Sequence, residues 1–390
     1  MGTAEICAVV VTGFERVAAR EISEKLPSKN CISGRGNVRF SLDPKHVSDT
    51  LKLRSVDNLY VVFYENKIDG LTKMNKDDAL KMIQKQISFC NWKLALHVYQ
   101  LVRGKEISGG TERVVDQMRM FMKEGKRCEV TEESPKFRVT CKRCGEKEIH
   151  EFSSMDAASK FGAEINNAFG WKCSVKEFDI EVVLRIEKDN MTVMMALNDE
   201  SLFKRNICAY GPTTMRSTIC YSMLHLADIK PGDIVVDAMC GGGSIPIEGA
   251  IAWKHSYFLG GDNHEMAMER CKLNWSPNSS PTHSNCDFFT WDASNLPLRD
   301  SSIDALVTDL PFGKKIGSRI DNRILYPMLL NEWKRVIRNG GKLVVMSHDK
   351  RSLENSILKD RSSWHTKATH TVNMGGLQCL CLCLINTKNE

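Results

Sequence analysis

Four short segments carry residue types whose spacing could do chemistry. The first, VVDAMCGGGSIPIEGA at 235–250, sets Asp237, Met239 and Cys240 ahead of Gly241, Gly242 and Gly243. Glycine lets a backbone approach a ligand closely and adopt positive φ. A helix that begins after such a turn offers free N–H groups to a carboxylate. The spacing is not the G-x-G-x-x-G of dinucleotide sites and no P-loop lysine follows, so a pyrophosphate fits poorly. A methionine-derived cofactor with one carboxylate and one ammonium fits better, and Asp237 is the expected anchor for the ammonium. The second segment, GGDNHE at 260–265, places Asp262 and Asn263 at the end of the next strand. A carboxylate there can accept both hydroxyls of a ribose. The third, TWDASNLPL at 290–298, offers Asp292 and Ala293 to an adenine amino group.

The fourth segment sets the reaction. DLPFG at 309–313 follows the apolar run IDALVTDL. Asp309 and the carbonyl of Leu310 can each accept one N–H of a planar amine and turn its lone pair toward a methyl donor. Pro311 stiffens the turn, and Phe312 can stack on a base, which would first have to leave its helix. Methyl transfer by this route needs positioning more than a strong base. Each segment also has a plain structural use: a glycine turn, an Asp that caps the following helix, or a Pro-Gly loop. Four of them in chain order, each after an expected strand, favour a site.

The elements that must position these residues alternate. An apolar, β-branched run at 6–12 precedes a helix at 14–26, a strand at 38–42, a helix at 44–53 and a strand at 59–65. That order fits a ferredoxin-like module. Residues 66–127 are mixed and charged and show no assignable elements. Strand patterning returns at 137–141, with a helix at 154–169 and strands at 178–186 and 191–197. From 213 the pattern changes to a helix at 213–227, strand Ile234–Asp237, a helix to about 253, strand 257–262 and helix 264–274. Strands at 287–291 and 303–308, a helix at 325–338 and strands at 342–347 and 377–385 follow. Alternating strands and helices predict a doubly wound sheet with its ligands at the C-terminal strand edges.

Composition narrows the class. The chain has 390 residues and a net charge of +6, too mild to establish nucleic-acid binding by itself. Local basic stretches say more: residues 101–143 hold eleven Lys/Arg against seven Asp/Glu, and 314–342 hold eight against two. Such patches suit a phosphate backbone, although solvated helix faces look the same. No apolar run approaches the roughly 20 residues that span a bilayer, and the opening MGTAEICAVVV does not read as a signal peptide. No membrane association is expected, and the expected location is the cytoplasm, with the nucleus as a second one. The 15 cysteines are then expected to be reduced. Cys141 and Cys144 form one CxxC, and zinc would need a second pair, so no metal is expected.

The motifs GPTTMR (211–216), DAMCGGGSIPIE (237–248), GGDN (260–263), WDA (291–293) and DLPFGKKIGS (309–318) stand in this order. Ahead of them lie TGFERVAAREI (12–22), RGNVRFSL (35–42), LRSVDNLYVVF (53–63), FRVTCKRCGE (137–146) and GAEINNAFGWKC (162–173). Over nearly its whole length the chain resembles the THUMP-domain-containing tRNA guanosine-N2 methyltransferases, and most of all their eukaryotic subgroup. The resemblance implies an α/β multidomain protein: a ferredoxin-like domain at 1–90, a THUMP α+β domain at 91–200, a linker at 201–212 and a Rossmann-like class I methyltransferase domain at 213–390. It implies S-adenosyl-L-methionine as cofactor, bound by the glycine loop and Asp262, with Thr214 and Arg216 of GPTTMR carried along by resemblance alone. It implies catalysis at Asp309–Phe312, a THUMP region that grips the acceptor end of tRNA, and a guanosine target near tRNA position 6. It also implies a small zinc-binding activator subunit as partner. One departure is Leu310, where many relatives carry a second proline; the eukaryotic subgroup shares the leucine.

Two other readings compete. One is an amino-group methyltransferase of another target, such as adenine N6, guanine N2 of a small nuclear RNA, or a protein glutamine. The other is a non-catalytic THUMP RNA-binding protein, against which the intact Asp309 and glycine loop argue.

Overall fold

The structure is a computed structural model that describes residues 2–104, 110–145, 149–275, 285–312 and 318–387. The chain opens with β1 (Ala4–Val10), α1 (Glu15–Lys25), the hairpin β2 (Lys29–Gly34) and β3 (Asn37–Leu42), and the long β4 (Val56–Lys67). Helices α2 (Lys76–Lys85), α3 (Trp92–Arg103) and α4 (Gly110–Glu124) follow. Then come β5 (Lys136–Cys144), α5 (Ser154–Phe169), β6 (Lys172–Cys173), β7 (Ile180–Glu187) and β8 (Asn190–Ala196). The helix expected at 44–53 is a 3-10 helix over Pro44–Lys52.

These eight strands form one sheet in the order β2-β3-β1-β4-β8-β7-β5-β6. The reason is the length of β4. Its first part pairs with β1, from Val56↔Val10 to Val62↔Glu5, and its second part pairs with β8, from Tyr60↔Ala196 to Lys67↔Asn190. The two modules expected at 1–90 and 91–200 therefore share one sheet and one core, in which Ile6 and Phe40 belong to the same cluster as Phe161 and Trp171. Strand alternation sends Ile6, Ala8 and Val10 into that core, while Cys7 lies on the opposite face with Tyr60, Val62, Val183 and Met194. Helices α2 and α3 fill the stretch that has no clear sequence pattern. Asn75 and Asn91 cap them, and Leu80, Ile83, Leu96 and Tyr99 are buried.

The second half begins with α6 (Ser217–Ala227), β9 (Ile234–Asp237), α7 (Ser244–Ala252), β10 (Tyr257–Asp262), α8 (Glu265–Asn274) and β11 (Cys286–Thr290). It continues with β12 (Ile303–Asp309), α9 (Arg319–Val336), β13 (Ile337–Ser347), α10 (Lys350–Lys359), β14 (Trp364–Met374) and β15 (Leu377–Asn386). The sheet order is β11-β10-β9-β12-β13-β15-β14. The first five strands run parallel, and β15 is antiparallel to both β13 and β14. From β9 the chain winds outward through β10 to β11, then returns to β12 on the other side of β9. That reversal is the switch point at which open α/β sheets bind ligands. Among the described residues no helix is long and apolar enough to cross a membrane.

The two halves share buried contacts. Val11, Phe14 and Val17 belong to the same core as Met223, Val344 and Val372. Gly13 has φ 105° and lies so close to β14 that a Cβ there would stand 2.1 Å from the Thr371 carbonyl oxygen. The Asn373 N–H donates to Thr12 at 2.9 Å. Deeper in the interface, the buried Glu248 carboxylate of α7 accepts from Arg54 at 2.6 and 2.8 Å, from Arg205 at 2.9 and 3.3 Å, and from Asn206 at 2.7 Å. The segment expected as a linker at 201–212 thus supplies two of Glu248's partners. Removing one partner of a buried ion cluster strands the others. Glu248→Ala is expected to destabilise the protein by about 3–5 kcal/mol, read as a lower denaturation midpoint. A midpoint equal to wild type would show that the cluster does not hold the halves together.

Candidate active site

Strand β9 ends in Asp237, which is buried and accepts from the Met239 N–H at 3.2 Å. Burial pushes its carboxyl well above the usual carboxylate range, and the carboxyls of Asp309 and Asp262 add to the rise. The glycine loop turns immediately after it. Gly243 has φ 82°, and a Cβ there would meet the Phe288 ring at 2.9 Å; Gly241 has φ 54°, and a Cβ there would meet nothing within 4 Å. The loop therefore packs on the sheet at Gly243 and borders open space at Gly241. Helix α7 starts directly behind it, with Gly243 as its N-cap.

Strand β10 ends in Asp262. One of its carboxylate oxygens accepts from the Gly241 N–H at 3.0 Å and the other from His264 N–H at 2.9 Å. The side chain is thus a strut for the glycine loop and holds the backbone of His264, the residue that caps α8. Asn263 beside it is exposed. After β11, Trp291 lies against Gly261 and donates from its indole to the Ala238 carbonyl at 3.0 Å, so it locks the end of β10 to the loop. Asp292 is exposed, and one of its oxygens accepts from the Ser294 N–H at 2.8 Å and hydroxyl at 2.7 Å. The Ser294 N–H is the main cause of its lowered pKa. The Ala293 carbonyl accepts from the Trp333 indole at 3.1 Å.

Strand β12 ends in the half-buried Asp309. Burial pushes its carboxyl up to about 7, and the Asp262 charge adds to this. Leu310 is anchored by its N–H to the Met346 carbonyl at 2.9 Å, with its side chain buried in the core. The Pro311 carbonyl is occupied: Asn322 donates to it at 3.1 Å and the Tyr326 hydroxyl at 2.5 Å. Among the described residues no donor reaches the Leu310 carbonyl. Phe312 is half-buried, its ring 6.3 Å from that of His348. The GKKIG part of this motif, 313–317, lies outside the described residues.

The structure thus gathers Asp237, Met239, Cys240, Gly241, Gly243, Asp262, Asp292 and Asp309–Phe312 at the carboxyl ends of four neighbouring parallel strands. It gives Thr214 and Arg216 other partners. The Thr214 hydroxyl accepts from Gly211 N–H at 2.7 Å. The Arg216 guanidinium lies 3.4 Å from the Asp57 carboxylate of β4 and 4.4 Å over the Phe203 ring, against the front half of the molecule. Sequence reasoning missed Asn322 and Tyr326, which hold the fourth loop, because it began the helix at 325. The start at 319 is readable as a capping box between Ser318 and Asp321. It also missed Asn274 and Glu248, whose partners are distant in sequence. Burial pushes the Cys141 thiol up to about 11, and no metal-holding cluster occurs among the described residues.

Among the described residues the buried carboxyl of Asp237, with its raised pKa, has no cationic partner. Together with a second carboxylate at Asp262 and open space at Gly241, this edge suits a cationic nucleoside carrying an amino acid.

Comparison with known proteins agrees with this geometry. The THUMP-domain family model matches residues 114–196, and the RMKL-like methyltransferase-domain model matches 205–379. The tRNA (guanine(6)-N(2))-methyltransferase THUMP3 of Mus musculus is 36% identical over 95% of this chain and 86% of that protein. The Homo sapiens protein of the same name is 35% identical over 98% of this chain and 88% of its own. Among solved structures, TrmN from Thermus thermophilus superposes with a TM-score of 0.76 at 19% identity, covering 98% of this chain and 99% of that one.

Proposed function

The chain belongs to the THUMP-domain-containing tRNA guanine-N2 methyltransferases, and we propose that it forms N2-methylguanosine near position 6 of the tRNA acceptor stem. It is an S-adenosylmethionine-dependent enzyme. The observation that carries the reading is the fourth loop. Asp309 and the Leu310 carbonyl form a pair of acceptors while Asn322 and Tyr326 occupy the next carbonyl. Two acceptors match the two N–H bonds of an exocyclic amino group. The alternative of a non-catalytic RNA-binding protein gives this pair no role.

In this reading Asp237 holds the ammonium of the donor, Asp262 and Asn263 its ribose, and Asp292 with Ala293 its adenine. Met239, Cys240, Gly241 and Gly243 form the loop beneath it. S-adenosylmethionine, when bound, supplies an electrophilic methyl group. Asp309 and the Leu310 carbonyl orient the guanine amino nitrogen, and Phe312 stacks on the base. A carboxyl near 7 at Asp309 also accepts the proton that the methylated nitrogen sheds. The front half holds the tRNA acceptor end. A depression of about 410 Å³ there is lined by Arg138 and Lys142 together with Thr140, Asn198 and the acidic Glu181 and Asp199, and its two cations are the groups it offers a phosphate. Arg216 is assigned to the join between the halves through Asp57, and Thr214 to the turn that begins at Gly211. A small zinc-binding activator subunit is the protein partner that the family resemblance supports.

Two outcomes test the loop. Asp309→Ala is expected to lower single-turnover methyl transfer on the order of 100-fold or more, with donor and tRNA affinity retained; transfer near the wild-type rate would remove Asp309 from the site. The second outcome is pH dependence. Only ionised Asp309 accepts the amine N–H, so the single-turnover rate should rise with pH up to about 7 and level off above it. Asp309→Asn should lose that limb. A wild-type rate that falls as pH rises from 6 to 8 would contradict the assignment.

A further inference from the structure

The roles assigned above leave Asn274 unexplained. It is the last residue of α8, faces no proposed substrate, and is 1% exposed. Its amide is nevertheless fully used. The side-chain oxygen accepts from the N–H groups of Cys208 at 3.0 Å and Ala209 at 2.7 Å. The side-chain nitrogen donates to the carbonyls of Ala209 at 3.1 Å and Gly242 at 2.8 Å. Two N–H groups facing one amide atom and two carbonyls facing the other fix its orientation. One buried side chain therefore joins the end of α8, the connector at 208–209 and the middle of the glycine loop. Gly242 stands directly against it: a Cβ there would meet the Asn274 nitrogen at 3.3 Å.

The neighbouring bonds show what this tie controls. Asp262 holds the Gly241 N–H at 3.0 Å, and the Cys271 thiol, one turn before Asn274, lies 3.3 Å from the Gly241 carbonyl. The loop is thus fixed on both sides of Gly241 by side chains from β10 and α8. The connector is fixed in turn: Arg205 and Asn206 bind Glu248, and Arg205 donates to the Arg54 carbonyl of the front half at 2.6 Å. We propose that Asn274 is a positioning residue for the methyl donor, holding the glycine loop in its binding shape and tying that shape to the connector. This rests on the reading of the glycine loop as the donor site.

Asn274→Asp in the full-length protein tests it. The substitution keeps the size and the two accepted bonds, and it turns an oxygen toward the carbonyls of Ala209 and Gly242. Leaving two buried carbonyls unpaired is expected to raise the donor Kd and KM roughly tenfold or more, with kcat at saturating donor and the KM for tRNA close to wild type. Asn274→Ser, which removes the tie without adding charge, should shift the donor KM in the same direction and carries the test if the aspartate variant does not fold. A purely structural Asn274 would lower the melting temperature and the active fraction while leaving the donor KM unchanged, and that result in either folded variant would overturn the proposal. Failure of the wild-type protein to transfer methyl groups from the donor to tRNA would instead overturn the function on which it rests.

Discussion

One buried carboxylate keeps the whole molecule in a single frame. Glu248 is 1% exposed and is met by the guanidinium groups of Arg54 and Arg205 and the amide of Asn206. An ion cluster of this kind gains little over well-packed apolar groups, because desolvation offsets much of the attraction. What it supplies is geometry. Arg54 precedes β4, the strand that unites the front sheet; Arg205 and Asn206 belong to the connector; and Glu248 lies on the helix that starts at the glycine loop. A change at any of these points strands a charge. The front sheet and the glycine loop are therefore not free to drift apart. Apolar packing of Val11, Phe14 and Val17 into the second core, and the close approach of Gly13 to β14, act in the same direction at another point.

The second organising feature is a concentration of negative charge at one sheet edge. Asp237, Asp262 and Asp309 end three neighbouring parallel strands; burial pushes the carboxyls of Asp237 and Asp309 upward, the Asp262 charge adds to both, and Asp309 adds to Asp237. Such an arrangement costs stability in the free protein and is characteristic of sites that await a ligand. In the proposed reading a cationic donor relieves it, and the uncharged Leu310 carbonyl beside Asp309 grips a neutral amine without adding a further charge. The hydrogen bonds of Asn322 and Tyr326 to Pro311 keep the backbone turned so that this carbonyl, and not the next, is the one on offer.

Much of the catalytic half was legible in the sequence, for a physical reason. Strands buried on both faces read as short apolar runs, and at β9, β10 and β12 each run ends in an aspartate at the carboxyl edge of the sheet. Elements without that signature were missed. β2 is exposed along its length, β14 alternates polar residues on an outer strand, and α2 and α3 are separated by a 3-10 turn that breaks the helical period. The boundary expected near residue 90 came with the family resemblance, and the length of β4 runs the strands on both sides of it into one sheet. Local patterns also could not show that Asp262 braces the Gly241 N–H, or that Arg216 turns to Asp57. Asn274 and Glu248 were invisible because their partners lie 32 to 194 residues away. A short motif identifies what a site contains, while long-range polar contacts decide how it is held.

In the proposed reading the Asp309 loop selects the amino group of a guanine in tRNA, and the identity and place of the modified nucleoside test this. The protein would be incubated with S-adenosylmethionine and unmodified tRNA, and the digested RNA mapped by mass spectrometry. N2-methylguanosine is expected, confined to the acceptor stem near position 6. Methyl groups found on adenine N6, or on no RNA nucleoside at all, would contradict it.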